Sequence, residues 1–376
     1  MTPLQNLKLL DLSRQLPGPF CSTMLADLGM DTLMVSNPTD PFGSGIPFMA
    51  RNKRSMKLNL KTEAGREVLL RLVDQADVLL EGFRPGVMKR LGLDYATLAA
   101  RNPRLIYCAI SGYGQDGPYR DRVGHDVNYL GFAGVLGFIG HSDGAPVIPG
   151  VQIADIGAGA LMAVIGILCA VIARQQTGRG QMVDISMLDG AALWNVYPVL
   201  LHLLGETPQR GRTQLTGYNA CYAVYETKDH RYVTVGAYEG HFWATLCTSL
   251  GHPEFIERQW VEGDERQHIL ETFRAIFRTK TQAEWMAELG ERDICFGPVN
   301  DVGQMLADPQ LRHRGMVVDQ PNGRPTLGNP VRLSDTPPSL RTPPPLFGEH
   351  TDTVLQELGF DAAGIERLRA DGVIGE

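Results

Sequence analysis

What most constrains this chain of 376 residues is the alternation, through its first half, of strand-length apolar runs with helical spacings. Residues 7–12 form a short apolar run suited to a buried strand, 20–28 carry helical spacing, and 31–35 return as a strand. The cycle repeats with a strand at 55–60, a helix at 64–73, and strands within 76–83 and 105–111. Strands separated by helices specify βαβ units, hence an α/β fold on a parallel sheet. A long apolar helix over 156–173 and the segment QMVDISML at 181–188 would extend that layer.

A different texture begins after a polar, Gly-rich stretch at 205–219. CYAVYETKDHRYVTVGAY reads as a hairpin, and helical patterns follow at 241–250, 266–277 and 281–290, so 220–320 is expected to be a second, smaller α+β domain. Eight prolines between 321 and 345 predict a stiff extended connector. The tail from 351 to 372 is helical and must pack on something.

Composition narrows the function. With 35 basic and 42 acidic residues the formal charge is −7, which disfavours nucleic acid as a partner. Six cysteines stand far apart without a CxxC pair, which argues against a zinc ribbon and for a reducing compartment, the cytoplasm by default. No secretory leader is expected from MTPLQNLKLLDLSR. The uncharged stretch 156–173 just reaches the length of a membrane span, but it is Gly- and Ala-rich and bracketed by Asp155 and Arg174, so a buried helix and no membrane association are expected.

Three places could carry chemistry. Gly124-His125-Asp126 opens an expected helix over 127–138, with Asp126 placed to cap it; judged by itself, His125 reads more readily as a plain turn histidine than as a catalytic one. Asp155 immediately precedes the apolar helix, where a carboxylate is either a cap or a partly desolvated acid or base. Glu239 follows a strand pattern of the second domain and is either a loop glutamate or a group orienting His125. Neither GxxxxGK[ST] nor a GxGxxG after the first strand is present, so NAD and P-loop chemistry are poorly supported. Basic residues cluster at Arg51, Lys53 and Arg54 and again at Arg84, Lys89 and Arg90, in turns where a doubly wound sheet binds ligands.

Taken together, DLSRQLPGPFCSTMLADLG, RNKRSMKLNLKTEAGR, ADVLLEGFRPGVMKRLGLDY, YCAISGYGQDGPY, GHDVNYL, TGRGQMVDISMLDG, CFGPVND and LFGEHTDTVL resemble the family III CoA-transferase superfamily (the CaiB/BaiF group), over nearly the whole chain. Within it the set His125, Asp155 and Glu239 resembles the α-methylacyl-CoA racemase branch. The resemblance implies a Rossmann-like large CoA-binding domain over 1–204 with 346–376, a linker over 205–219, a smaller α+β domain over 220–320, and a return linker over 321–345. It further implies a ring-shaped subunit in an interlocked homodimer, each active site joining His125 and Asp155 of one subunit to Glu239 of the other.

The activity so implied is epimerisation at the 2-position of 2-methylacyl-CoA thioesters through an enolate. Two unlike proton carriers, one on each face, suffice for it, so no metal and no cofactor beyond the CoA of the substrate are expected. Backbone N–H groups near Asp126 are candidate donors to the enolate oxygen. One departure stands out: where the family reads V-E-R-P, this chain has Val35-Ser36-Asn37-Pro38. Asn37 supplies no charge for the nucleotide phosphate, so Arg84, Arg90, Arg51, Lys53 and Arg54 are expected to serve. The rival activity is CoA transfer between carboxylic acids through an acyl anhydride and then a CoA thioester at Asp155. A third reading is a silent acyl-CoA-binding subunit.

Overall fold

The computed structural model describes residues 1–40, 46, 49–320 and 323–375. Pro321, part of the expected connector, lies outside the described residues. The chain divides into two units: Met1–Leu136, Ile148–Val196 and His313–Glu376 make the first, Gly137–Val147 and Tyr197–Arg312 the second. The large unit therefore ends at Val196 and also takes up 313–345, while the loop Gly137–Val147 belongs to the smaller one.

The first unit is built on a six-stranded sheet in the order β3-β2-β1-β4-β5-β6. Its strands are β1 (Lys8–Asp11), β2 (Asp31–Ser36), β3 (Lys53–Lys57), β4 (Val78–Glu81), β5 (Ile106–Ser111) and β6 (Met182–Ser186). All pairings are parallel, with Leu9 opposite both Thr32 and Val78. The order reverses between β1 and β4, so the crevice beyond their carboxyl ends is where such a sheet binds ligands. Alternation divides the strand residues between two cores. Leu10, Leu33, Met56, Leu79 and Tyr107 pack with helix Glu63–Val73 and with Val354, Leu355, Ile365 and Leu368 of the C-terminal helices. That is where the helical tail packs. The opposite face carries helices Pro17–Asp27 and Leu161–Thr177.

The apolar helix departs from expectation in two ways. It starts earlier, as a π-helical stretch Ile153–Ala160 that runs into the α-helix Leu161–Thr177, so Asp155 lies inside it rather than before it. It is long and apolar enough to cross a membrane by length and composition, with 39% of its most apolar window buried; Ile165 and Ile172 stay exposed. Close approach explains its small residues: a Cβ on Gly190 would lie 2.6 Å from the Ala158 carbonyl oxygen, and one on Gly166 would lie 2.6 Å from Val183.

The second unit has the antiparallel strands β7 (Tyr222–Glu226), β8 (Tyr232–Gly236) and β9 (Phe296–Pro298). Helices Gly240–Ser249, Gly263–Phe277 and Gln282–Leu289 close over them on a core of Tyr225, Trp243, Phe273, Phe277 and Trp285. Part of the proline-rich connector pairs as a hairpin, Val317–Asp319 with Pro325–Leu327. From 328 to 346 the described chain has neither helix nor strand.

Candidate active site

Beyond the carboxyl end of β5, Gly112 and Gly124 lie where any side chain would strike Tyr129, a Cβ coming within 2.5 Å and 2.8 Å of its ring. That approach lets the Tyr129 hydroxyl donate to the Gly124 carbonyl at 2.5 Å, fixing the turn that carries His125. His125 is the N-cap of helix Asp126–Phe132; its N–H donates to Asn128 Oδ1 at 3.0 Å, and its imidazole is exposed. The helix is shorter than expected, because Gly134 adopts a left-handed conformation just beyond it.

Asp126 does not cap its own helix. Its carboxylate accepts from the N–H groups of Ala154 and Asp155, at 2.7 and 3.0 Å, and so caps the π-helical stretch 28 residues away. One carboxylate thereby ties the backbone next to His125 to that of Asp155. Those two N–H groups are consequently taken, which removes them as donors to a substrate oxygen.

Asp155 is partly buried, and its carboxyl is pushed up from 3.8 to about 6. Burial is the main cause and the negative charge of Asp126 adds to it, while His125 pulls the other way. Asp155 in turn helps burial to push the Tyr129 hydroxyl up to about 12. The structure thus gathers His125, Asp126, Tyr129 and Asp155 in one unit. Tyr129 gave no sequence signal of its own, since a tyrosine four residues after a candidate histidine reads as helix packing. Glu239 belongs to the second unit, exposed at the N-cap of helix Gly240–Ser249 and without a side-chain cap bond.

The basic residues separate into two groups. Arg51 is buried against Asp27, with two hydrogen bonds at 3.0 and 2.7 Å. Lys53 is buried too, donating to Ser22 Oγ at 2.6 Å and the Pro19 carbonyl at 3.0 Å, and burial pushes its ammonium down to about 8 despite Asp11. Arg54 bonds Glu357 at 2.9 Å and Asp31 at 3.3 Å. All three are expected at the nucleotide, but Arg51 and Lys53 are buried beside Asp27 and Asp11, carboxylates that would otherwise be buried without a counter-charge, and Arg54 is held in a part-exposed ion pair with Asp31 and Glu357.

Arg84 is exposed in the turn after β4, and Lys89 and Arg90 are exposed on the one-turn helix Val87–Arg90 that follows it. Arg90 and Arg120 both approach Gly86, within 3.6 and 3.3 Å of where its Cβ would stand. That turn is pinned by Glu81, whose carboxylate accepts from the Phe83 N–H at 2.6 Å and is pushed up to about 7 by burial. Asn37 closes its own turn, accepting from the Thr39 N–H at 3.0 Å and hydroxyl at 2.8 Å. Among the described residues no three His, Cys, Asp or Glu side chains are grouped to hold a metal ion.

Residues 4–351 match the family described as CoA-transferase family III. The chain is 38% identical to the mouse protein named alpha-methylacyl-CoA racemase, over 99% of this chain and 97% of that one. It is 31% identical to mouse succinyl-CoA:glutarate CoA-transferase, over 100% and 91%. A CaiB/BaiF family protein from Brucella suis superposes with a TM-score of 0.82 at 32% identity, covering 95% of this chain and 99% of that one. The protein is therefore an enzyme of CoA-transferase family III, the superfamily that holds both racemases and CoA transferases.

Proposed function

We propose that this enzyme is an α-methylacyl-CoA racemase, inverting C2 of 2-methylacyl-CoA thioesters. The observation that carries the reading is the pairing, across Asp126, of an exposed imidazole with a carboxyl whose pKa is raised to about 6. A base too weak cannot remove the proton and one too strong cannot return it, so a carboxyl moved toward neutrality suits both halves of the reaction. Asp155 takes the C2 proton, the C–H electron pair moves into the thioester as an enolate, and His125 as imidazolium gives a proton to the opposite face. The product leaves with Asp155 protonated and His125 neutral, the state that deprotonates the other enantiomer. No bond forms between enzyme and acyl group.

Arg84 and Arg90, with Arg120, are the cations we assign to the CoA phosphates. They lie in or near the turn after β4, at the crevice where the strand order reverses. The working form is proposed to be an interlocked homodimer of ring-shaped subunits, with Glu239 supplied by the partner to orient His125. In support, helix Val196–Leu203 buries none of its residues within the chain although it is strongly apolar. Six unpaired cysteines support a reducing, cytoplasmic location, and no nucleic-acid or membrane partner is proposed.

Incubation with one enantiomer of a 2-methylacyl-CoA is expected to give a mixture of both, and His125→Ala or Asp155→Ala to abolish that conversion in a folded protein. Family III also contains transferases, and on that rival reading Asp155 would act as a nucleophile. Hydroxylamine inactivation during turnover, together with CoA passing to a second carboxylic acid, would establish that reading instead.

A further inference from the structure

The second unit contains a cavity of about 440 Å³ between the loop Gly137–Val147, the segment around Arg212 to Tyr218, and helix Gly263–Phe277. Arg212, Arg266 and Arg274 line it, against a single lining carboxylate, Asp143. Arg266 and Arg274 stand two helical turns apart on one face of the helix, with Leu270 between them. Arg274 shares its charge with Glu271 at 2.7 Å, while Arg212 is exposed and has no carboxylate partner among the described residues. The buried Nε of Arg266 has no hydrogen-bond partner, although the same guanidinium donates to the Tyr218 carbonyl at 2.6 Å and stacks 3.9 Å over the Tyr218 ring.

The cavity is built rather than left over. Arg210 holds its outer wall, donating to the carbonyls of His141 at 3.0 Å, of Gly137 at 3.3 Å, and of Gly144. Gly211 is packed so tightly against that wall that a Cβ there would lie 2.9 Å from the Ser142 nitrogen. Collecting like charges around an empty space costs stability unless an anion shares them.

We propose that this cavity binds a phosphate-bearing small molecule. Guanidinium forks match phosphate oxygens in pairs, and the volume lies in the range of small-ligand pockets, larger than a bare phosphate requires. The phosphate could belong to a free phosphorylated compound or to CoA itself.

Pyrophosphate titrated into the full-length protein, followed by calorimetry and by the rise in melting temperature, tests this. Saturable binding is expected, weakened about tenfold by Arg212→Gln and by Arg274→Gln, each of which removes one charge-assisted contact. Both side chains are solvent-facing enough that folding should survive, and the melting temperature without ligand checks it. If Arg212→Gln also weakens CoA binding, CoA is the source of the phosphate; if CoA binding is unchanged, a separate phosphorylated ligand is. Either result supports the site. No saturable binding at millimolar pyrophosphate, equal affinity in both variants, or loss of binding in Arg84→Ala instead, overturns it.

Discussion

Asp155 is held where its ionised form is disfavoured, and that has a consequence for stability as well as for the proposed catalysis. Because its folded pKa, about 6, lies above the unfolded value of 3.8, its contribution to stability is fully present below 3.8 and is lost as pH rises through about 6. Asp155→Asn should therefore raise the melting temperature at pH about 7.5 and make little difference at pH about 4, read by thermal unfolding at both values. Asp126→Asn separates two roles of its neighbour. The amide oxygen still accepts the Ala154 and Asp155 N–H groups, but the like charge is gone, so the Asp155 pKa falls. In the direction that starts with Asp155 as base, the acid limb of the rate profile should move to lower pH; Asp126→Ala, which also removes the cap, should cost a further ~1 kcal/mol of stability. The identities of His125, Asp126 and Asp155 were legible in the sequence through the motifs around them. The bond that joins them was not, because a cap 28 residues distant leaves no local pattern.

At the scale of elements, the parallel strands stood out because a strand buried on both faces must be an apolar run, and β1, β2, β4 and β5 are such runs. β9 was missed: three residues, two of them Gly and Pro, give no alternation to read. The π-helical start of the long helix was also hidden, since i and i+5 contacts are set by packing rather than by the 3.6-residue pattern. A basic run cannot declare whether it faces inward. Arg51 and Lys53 read in the sequence as ligands for a nucleotide because their buried partners, Asp27 and Asp11, are distant in sequence. That leaves the turn after β4 as the expected phosphate contact. Arg84→Ala should raise KM by about one to two decades with kcat nearly unchanged, because contacts to the nucleotide end are the same in ground and transition states. Steady-state kinetics on a 2-methylacyl-CoA measures both quantities, and an unchanged KM would place the nucleotide elsewhere.

For the whole molecule, the proposed dimer is supported by the apolar helix Val196–Leu203, which buries none of its residues within the chain. If Glu239 acts on the partner's His125, inactive His125→Ala and Glu239→Ala proteins should complement when refolded together, since each hybrid dimer regains one intact site. Absence of any recovered activity in purified hybrids would confine each site to a single chain. The central claim, proton transfer at C2 without acyl transfer, is tested most directly by turning over a single enantiomer of a 2-methylacyl-CoA in D₂O and reading the mass of the recovered thioester. Racemisation through the enolate predicts one deuterium at C2, appearing with the inverted enantiomer and absent in the double variant of His125 and Asp155. Recovery of the thioester without deuterium, while CoA moves to an added carboxylic acid, would contradict it.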